Sequence, residues 1–252
     1  MKLSASIVTY NNSDEIQNVL EDLAKCLECG LDTLIVVDNN STDETKDIIK
    51  SKYGWVQLIE SNKNLGYGAG HNLAIKEVDS DFHLIINPDI SIDSSNFRKI
   101  VDFCQSEDFS IACPKVLNSD GSEQYLPKLN PKFLFILGGV FKPLQKYRDE
   151  YTMKNRNLND ITEVEFCTGC FTICNTKYLK KCGGYDERYF MYMEDADLTR
   201  TMKKFGKALY NPHIEVTHLW KRENRRSLKG ITRWFSSYFK YSKKWRKEDG
   251  NH

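Results

Sequence analysis

Long apolar runs are missing from this 252-residue chain, in which no stretch reaches the roughly eighteen uninterrupted apolar residues that a membrane-spanning helix needs. Met1-Lys2-Leu3-Ser4 reads as the opening of a strand rather than a signal sequence, and the expectation is a cytosolic protein. Glycine is absent from the turn after the first strand, Tyr10-Asn11-Asn12-Ser13-Asp14. A dinucleotide-binding fold needs G-x-G-x-x-G there, and a nucleotidyltransferase would carry a glycine-rich basic loop, so both classes are disfavoured. The chain also lacks a strong overall charge, with a net value of +1. Its 28% charged and 40% hydrophobic residues describe one large α/β domain, or one domain with a terminal appendage.

The small net charge hides an asymmetry. Residues 221–247 hold eleven Lys and Arg against the single acid Glu223, whereas the preceding 220 residues carry 25 basic and 32 acidic side chains. A basic partner-binding surface is therefore expected at the C-terminal end. Eight cysteines are present. Cys26-x-x-Cys29 and Cys167-x-x-Cys170, with Cys174 nearby, have zinc half-site spacing, but the first pair falls on a predicted helix and the second set on an apolar strand. They read as buried, reduced thiols that behave as small hydrophobes.

Taken in order, residues 3–9 predict a strand, and Ile16, Val19, Leu20, Leu23 and Leu27 form a helical stripe over 15–29 that Gly30 stops. A second strand over 33–37 ends at Asp38. Ser41 with Glu44 reads as a capping box for a helix running to about Tyr53, and residues 56–60 as a third strand. This alternation predicts a mostly parallel, doubly wound sheet with helices on both faces. Residues 64–72, Asn-Leu-Gly-Tyr-Gly-Ala-Gly-His-Asn, open the next helix, and their three alternating glycines predict a close backbone approach at an anion-favouring helix terminus.

Leu84–Ile86 reads as a buried strand halted by Asn87-Pro88-Asp89, since proline cannot donate to a sheet ladder. Asp89 then projects from the carboxyl end of a central strand, the edge at which open α/β sheets bind ligands. A hard oxygen ligand there suits Mg²⁺ or Mn²⁺. A helix over 94–105 and a strand over 111–117 follow. Residues 118–160 are irregular, and the apolar patch Phe133–Phe141 is either a buried helix or a mobile flap. Beyond a strand-like 164–174 and a short helix over 175–182 come Glu194, Asp195 and Asp197, at the start of a helix over 195–205 and directly after the aromatic and methionine run Tyr189–Met193. Acids in a first turn complement the helix dipole, but a partly dry setting also raises a carboxyl pKa, which suits a general base. Strands over 208–210 and 214–217 finish the sheet, and His218 follows.

Six motifs in this order, Ser6-Ile7-Val8-Thr9-Tyr10-Asn11, Val37-Asp38-Asn39-Asn40-Ser41-Thr42-Asp43, Asn64-x-Gly66 through Asn72, Asn87-Pro88-Asp89, Gly183-Gly184-Tyr185-Asp186-Glu187 and Glu194-Asp195-x-Asp197-Leu198, resemble the family 2 inverting glycosyltransferases of GT-A fold. The likeness covers roughly residues 3–220. It implies a Rossmann-like glycosyltransferase domain over 1–220, with a donor half at about 1–117 and an acceptor or catalytic half at about 118–220, and a basic aromatic helical tail over 221–252. It implies that Thr9, Asn11 and Asp38 bind the base and ribose of a nucleotide sugar, and that Asn64, Gly66, Gly70, His71, Asn72 and Asn87 line the donor pocket. Many members have arginine where His71 stands. Asp89 would be the metal-binding end of the family's D-x-D element, with Asn87 in place of its first acid, and His218 a second ligand of Mg²⁺ or Mn²⁺. Asp195 is the implied base, with Glu194 its rival.

Residues 64–72 and 87–89 together resemble bacterial rhamnosyltransferases of surface polysaccharide synthesis that use a dTDP-linked donor, while relatives use UDP-hexoses. The implied partners are a dTDP- or UDP-linked donor and a glycan or polyprenyl-diphosphate-linked acceptor; a homodimer stays open. A non-catalytic carbohydrate- or membrane-binding module on the same fold is the alternative of another class. In the tail, Leu228, Ile231, Phe235, Tyr238 and Phe239 fall at helical spacing among lysines and arginines. Such a helix suits an anionic membrane surface, which would make the protein peripheral on the inner face of the membrane, or else packs back on the domain. No other motif supports nucleic acid.

Overall fold

A computed structural model describes residues 1–132, 135, 142–219 and 228–249. Among them the strands are β1 (Leu3–Thr9), β2 (Thr33–Asp38), β3 (Gln57–Glu60), β4 (Phe82–Ile86), β5 (Ile90–Ser91), β6 (Ile111–Leu117), β7 (Thr162–Glu163), β8 (Phe171–Asn175) and β9 (Ala208–His218). They form one sheet in the order β3-β2-β1-β4-β8-β6-β9-β5, with β7 paired to β9. The helices are α1 (Ile16–Cys26), α2 (Thr45–Lys52), α3 (Tyr67–Glu77), α4 (Ser94–Ser106), α5 (Gln145–Tyr151), α6 (Thr176–Lys181), α7 (Glu194–Met202) and α8 (Leu228–Asp249).

The sheet is mixed. Strands β1 to β4 are parallel to one another, β8 runs antiparallel to both β4 and β6, and β9 is parallel to β6. Strand β1 lies between β2 and β4 and is buried along its whole length. That burial leaves Ser4 and Ser6 needing partners inside the core, where an unpaired hydroxyl is costly. His83 on β4 supplies them: its ring nitrogens lie 2.7 Å from Ser4 Oγ and 2.8 Å from Ser6 Oγ. Helix α1 buries the predicted stripe Ile16, Val19, Leu20 and Leu23, and Gly30, at φ 109°, ends the turn that follows. Each such leucine contributes about 2 kcal/mol of burial.

Two local expectations are corrected. Helix α2 starts at Thr45, and Ser41 does not cap it. The Ser41 hydroxyl instead accepts the Asn11 N–H at 3.0 Å, while the Ser41 N–H donates to Asp38 Oδ2 at 3.0 Å. The stretch 164–174 is not one strand, because residues between β7 and β8 leave the ladder to meet α7: Cys167 N donates to Thr199 Oγ1 at 3.2 Å and Gly169 N to Asp195 Oδ2 at 3.1 Å.

All eight cysteines are free thiols, and all but Cys182 are buried. Burial pushes Cys26 and Cys104 up to about 12. Of the apolar patch 133–141, only Phe135 lies within the described residues; it is buried and stacks on Tyr151 at 5.5 Å.

Of the two arrangements expected of the tail helix α8, the structure shows packing back on the domain. Tyr238, Tyr241 and Trp245 are buried in a cluster with Phe166, Tyr189, Met193 and Ala196, so one face packs on the domain. Ile231, Phe235 and Phe239, spaced four residues apart, remain 44%, 42% and 66% exposed. No described helix is long and apolar enough to cross a membrane.

Candidate active site

The parallel register brings the predicted residues to one edge. Thr9 and Asp38 are direct partners at the carboxyl ends of β1 and β2, and Ile86, the last residue of β4, sits opposite Ile7. Asp38 and Thr9 are fully buried. Asp38 Oδ2 is occupied by the Ser41 N–H, while Oδ1 has no hydrogen-bond partner among the described residues. Asn11, at φ 55°, is exposed, and its Oδ1 accepts the Thr42 N–H at 2.8 Å.

The turn after β4 joins this edge to the far side of the sheet. Asn87 N donates to Cys170 O at 2.9 Å, and Ile90 on β5 pairs with His218 at the end of β9. That pairing brings His218 Nε2 to 3.2 Å from Asp89 Oδ1. Gln124 Oε1, which can only accept, lies 3.1 Å from His218 Nδ1, so Nδ1 carries a proton and Nε2 is the ring nitrogen directed at the carboxylate. An imidazole nitrogen and a carboxylate oxygen on adjacent strand ends are both ligand types that a divalent cation takes. Two ligands about 2.1 Å from a divalent ion at a right angle lie about 3 Å apart, near the spacing seen here. Asn87 Oδ1 is likewise buried without a hydrogen-bond partner among the described residues. No group of three or more His, Cys, Asp and Glu able to hold a metal occurs among them. Any ion at Asp89 and His218 would therefore draw other ligands from a bound anion or water.

The acids of α7 approach from the other side through the adjacent residues Gly169 and Cys170. Gly169 N holds Asp195 Oδ2, and the Ala196 N–H holds Oδ1 at 2.9 Å. Burial raises the Asp195 carboxyl above its usual value, an effect moderated by Lys128 and by these backbone donors. Glu194 is 7% exposed; burial, with Asp195 beside it, pushes it well above the usual carboxylate range, and its Oε2 has no hydrogen-bond partner among the described residues. One carboxyl is thus oriented by backbone donors, and burial favours the protonated form more strongly in its neighbour.

The glycine-rich segment behaves differently from its expectation. A Cβ on Gly66 would lie 2.2 Å from Phe190 O, one on Gly68 2.8 Å from Tyr185 Cβ, and one on Gly70 2.8 Å from Val8 Cγ1. The close approach is to the protein itself. Asn64 Oδ1 accepts the Gly66 N–H at 2.9 Å. Both ends of the Asn72 amide are spent, on Tyr185 O at 2.9 Å, on Glu187 and on the Tyr185 N–H. His71 is fully buried, its Nδ1 lies 2.8 Å from Ser6 Oγ, and burial with His83 nearby pulls its pKa well down. A neutral interior imidazole does not replace the arginine of other members as a charge contact.

Reasoning on the sequence passed over Gly169, Cys170, Gln124 and Lys128. The first two lay inside the expected strand, and the last two lie in the irregular 118–160 stretch where no periodicity marks them. A separate cleft of about 610 Å³ opens at the amino-terminal edge of the sheet, lined in part by Ser80, Asp81, Asn175 and Lys180, away from every residue above.

Fold and edge together define a glycosyltransferase of GT-A type. The chain resembles *S. aureus* TarS 1-349 in complex with UDP at TM-score 0.62 and 19% identity, covering 88% of this chain and 61% of that one. It also resembles GalNAc-T7 with UDP, GalNAc and Mn²⁺ at TM-score 0.69 and 13% identity, covering 96% and 48%. The chain thus spans less than two thirds of either structure. The Glycosyl transferase family 2 domain matches residues 4–183, and the chain belongs to that family. Among curated relatives, the N-acetylglucosaminyl-diphospho-decaprenol L-rhamnosyltransferase of Mycobacterium tuberculosis is 27% identical over 228 residues, 84% of this chain and 74% of that protein. The rhamnosyltransferase WbbL of Escherichia coli K12 is 27% identical over 251 residues, 93% and 90% respectively.

Proposed function

We propose that this glycosyltransferase moves L-rhamnose from dTDP-rhamnose, with inversion, to a glycan or polyprenyl-diphosphate-linked acceptor in the synthesis of bacterial surface polysaccharide. The observation that carries the reading is the link through Gly169 and Cys170, which ties the oriented carboxylate of Asp195 to the Asn87-Pro88-Asp89 turn. Two relatives whose names specify rhamnosyl transfer support the sugar, and one of those names specifies a diphospho-decaprenol acceptor. The second reading is a UDP-hexose or UDP-N-acetylhexosamine transferase, favoured by the likeness to TarS in complex with UDP-GlcNAc.

In this reading Thr9, Asn11 and Asp38 meet the base and ribose, with the backbone of 64–70 bordering the pocket. Asp195 accepts the proton of the acceptor hydroxyl as that oxygen attacks the anomeric carbon. The bond from that carbon to the diphosphate oxygen breaks on the opposite face. Glu194, whose burial favours its protonated form, is the weaker base. Mg²⁺ or Mn²⁺ held by Asp89 and His218, with Asn87 beside them, would offset the charge that builds on the departing diphosphate. Residues 1–117 serve the donor and 118–220 the acceptor. The outward stripe Ile231, Phe235 and Phe239, set among Lys240, Lys243 and Arg246, rests on an anionic membrane surface, so the enzyme works peripherally at the inner face.

Turnover with dTDP-rhamnose, UDP-galactose, UDP-glucose and UDP-N-acetylglucosamine, each with Mn²⁺ and a polyprenyl-diphosphate N-acetylglucosamine acceptor, tests the assignment. Transfer from dTDP-rhamnose alone is expected. Transfer only from a UDP sugar selects the second reading, and transfer from none favours a non-catalytic module.

A further inference from the structure

We propose that α8 is a positioning element for catalysis: Lys244 and Trp245 hold Asp197, and through it fix the first turn of α7 from which Asp195 projects. The inference rests on the reading of Asp195 as the base. Asp197 is 2% exposed, and its carboxylate is turned away from its own helix terminus. Oδ1 accepts from Trp245 Nε1 at 2.8 Å and from Tyr189 Oη at 3.4 Å, and Oδ2 accepts from Lys244 Nζ at 2.7 Å. The third acid of the Glu-Asp-x-Asp motif is thereby committed to the tail helix and is unavailable to a ligand.

The same helix holds the chain that leads into the acids. Ser237 Oγ donates to Met191 O at 2.8 Å, Lys240 Nζ to Arg188 O at 2.7 Å, and Lys244 Nζ also to Asp186 at 2.9 Å. Between Met191 and Glu194 the backbone passes through Tyr192 at φ 71° and Met193 at φ 68°. Side-chain-bearing residues rarely adopt that conformation, and it persists only where surroundings enforce it. At the far end of α7, Arg200 binds Asp249 at 2.7 Å and Lys204 binds Glu248 at 2.9 Å, with the Arg200 guanidinium 4.5 Å from the Trp245 ring centroid.

Packing alone would not need this chemistry. Apolar faces attach a helix but tolerate sliding, whereas charge-assisted hydrogen bonds to a buried carboxylate are directional and fix register. Removing one partner from such a pair leaves a buried charge uncompensated. Besides Tyr189, the residues that face Asp197 lie 47 and 48 positions further along the chain, which makes the base's placement depend on the tail helix.

The test uses the full chain with Trp245→Phe, Lys244→Met and the conservative Lys244→Arg, beside wild type and Asp195→Asn. Hydrogen exchange is followed in residues 186–202 and, as reference, in residues 3–38. Turnover is measured with dTDP-rhamnose, Mn²⁺ and the polyprenyl-diphosphate N-acetylglucosamine acceptor. Trp245→Phe and Lys244→Met are each expected to lower kcat about tenfold or more while donor KM stays within about twofold. Exchange should quicken in 186–202 and not in 3–38, and Lys244→Arg should restore both. Unchanged kcat and exchange in the two disruptive variants would overturn the proposal. So would faster exchange in both segments with donor binding lost, because α8 would then only hold the whole fold together. Exchange reads the clamp whatever donor the enzyme uses, and near-normal turnover of Asp195→Asn would remove the base assignment alone.

Discussion

Residues 64–72 and 87–89 carry equally suggestive sequences, yet their side chains and glycines meet different surroundings in the fold. In the first, the Asn72 amide is filled from both sides, and Gly66, Gly68 and Gly70 face Phe190, Tyr185 and Val8. In the second, Asn87 Oδ1 has no hydrogen-bond partner among the described residues, and Asp89 Oδ1 lies 3.2 Å from His218 Nε2. A buried polar group left short of partners costs free energy that natural folds rarely spend without return. The buried oxygens of Asn87 and Asp89 therefore make the second stretch the candidate ligand edge, while in the first the atom left without a hydrogen-bond partner among the described residues is His71 Nε2.

The largest effect that could break this contrast lies at α7. Asp195→Asn is expected to keep donor binding and lose transfer by about 10³-fold, whereas Glu194→Gln, at a carboxyl whose burial favours the protonated form, should cost less than about tenfold. Steady-state kinetics on the two variants checks this, and a reversal of the order would make Glu194 the base. Gly66→Ala sharpens the packing side. With φ at 88° and Phe190 O in the way, it should lower stability by about 3 kcal/mol in denaturant unfolding, while donor affinity of the folded protein stays near wild type. Affinity lost at full stability would return Gly66 to the ligand side.

The smallest effect is in pH dependence. Burial lowers His71 and takes His83 down to about 3, so on acidification from pH 6.5 the unfolded chain gains protons at these imidazoles before the folded one does, and stability falls. Glu194 opposes this down to about pH 4.5, since its raised carboxyl gives the folded state a proton that the unfolded state lacks. Asp195, also raised, acts in the same sense as Glu194. Glu194→Gln removes one opposing contribution, and the loss between pH 6.5 and 4.5 should steepen by at most about 1.4 kcal/mol per pH unit. Unfolding curves at pH 6.5, 5.5 and 4.5 measure the slope; an unchanged slope would mean that Glu194 titrates alike in both states.

Much of the fold was legible because apolar periodicity is local. The α1 stripe, the existence of β1 and the stop at Asn87-Pro88 can all be read within a dozen residues, whereas the burial of β1 on both faces, Ser4 and Ser6 included, cannot. The mixed direction of the later strands was not, since β8 finds β4 and β6 across long separations that no spacing records. The site divided in the same way. Asp89, His218, Glu194 and Asp195 announce themselves by residue type beside a strand end or helix start. The alternate glycines did not reveal their use, because a missing side chain serves a ligand and a neighbouring carbonyl equally well. Asp197 looked like one more first-turn acid, since its partners Lys244 and Trp245 sit in a tail whose basic composition pointed outward.

The most direct measurement is calorimetric titration of dTDP and of UDP into wild type and Asp89→Ala, each with and without Mn²⁺. If the turn after β4 is the metal and diphosphate edge, Mn²⁺ will strengthen wild-type binding of one nucleotide by at least about tenfold, and the variant will show no such gain. An equal gain in Asp89→Ala, or none in wild type, would contradict the account.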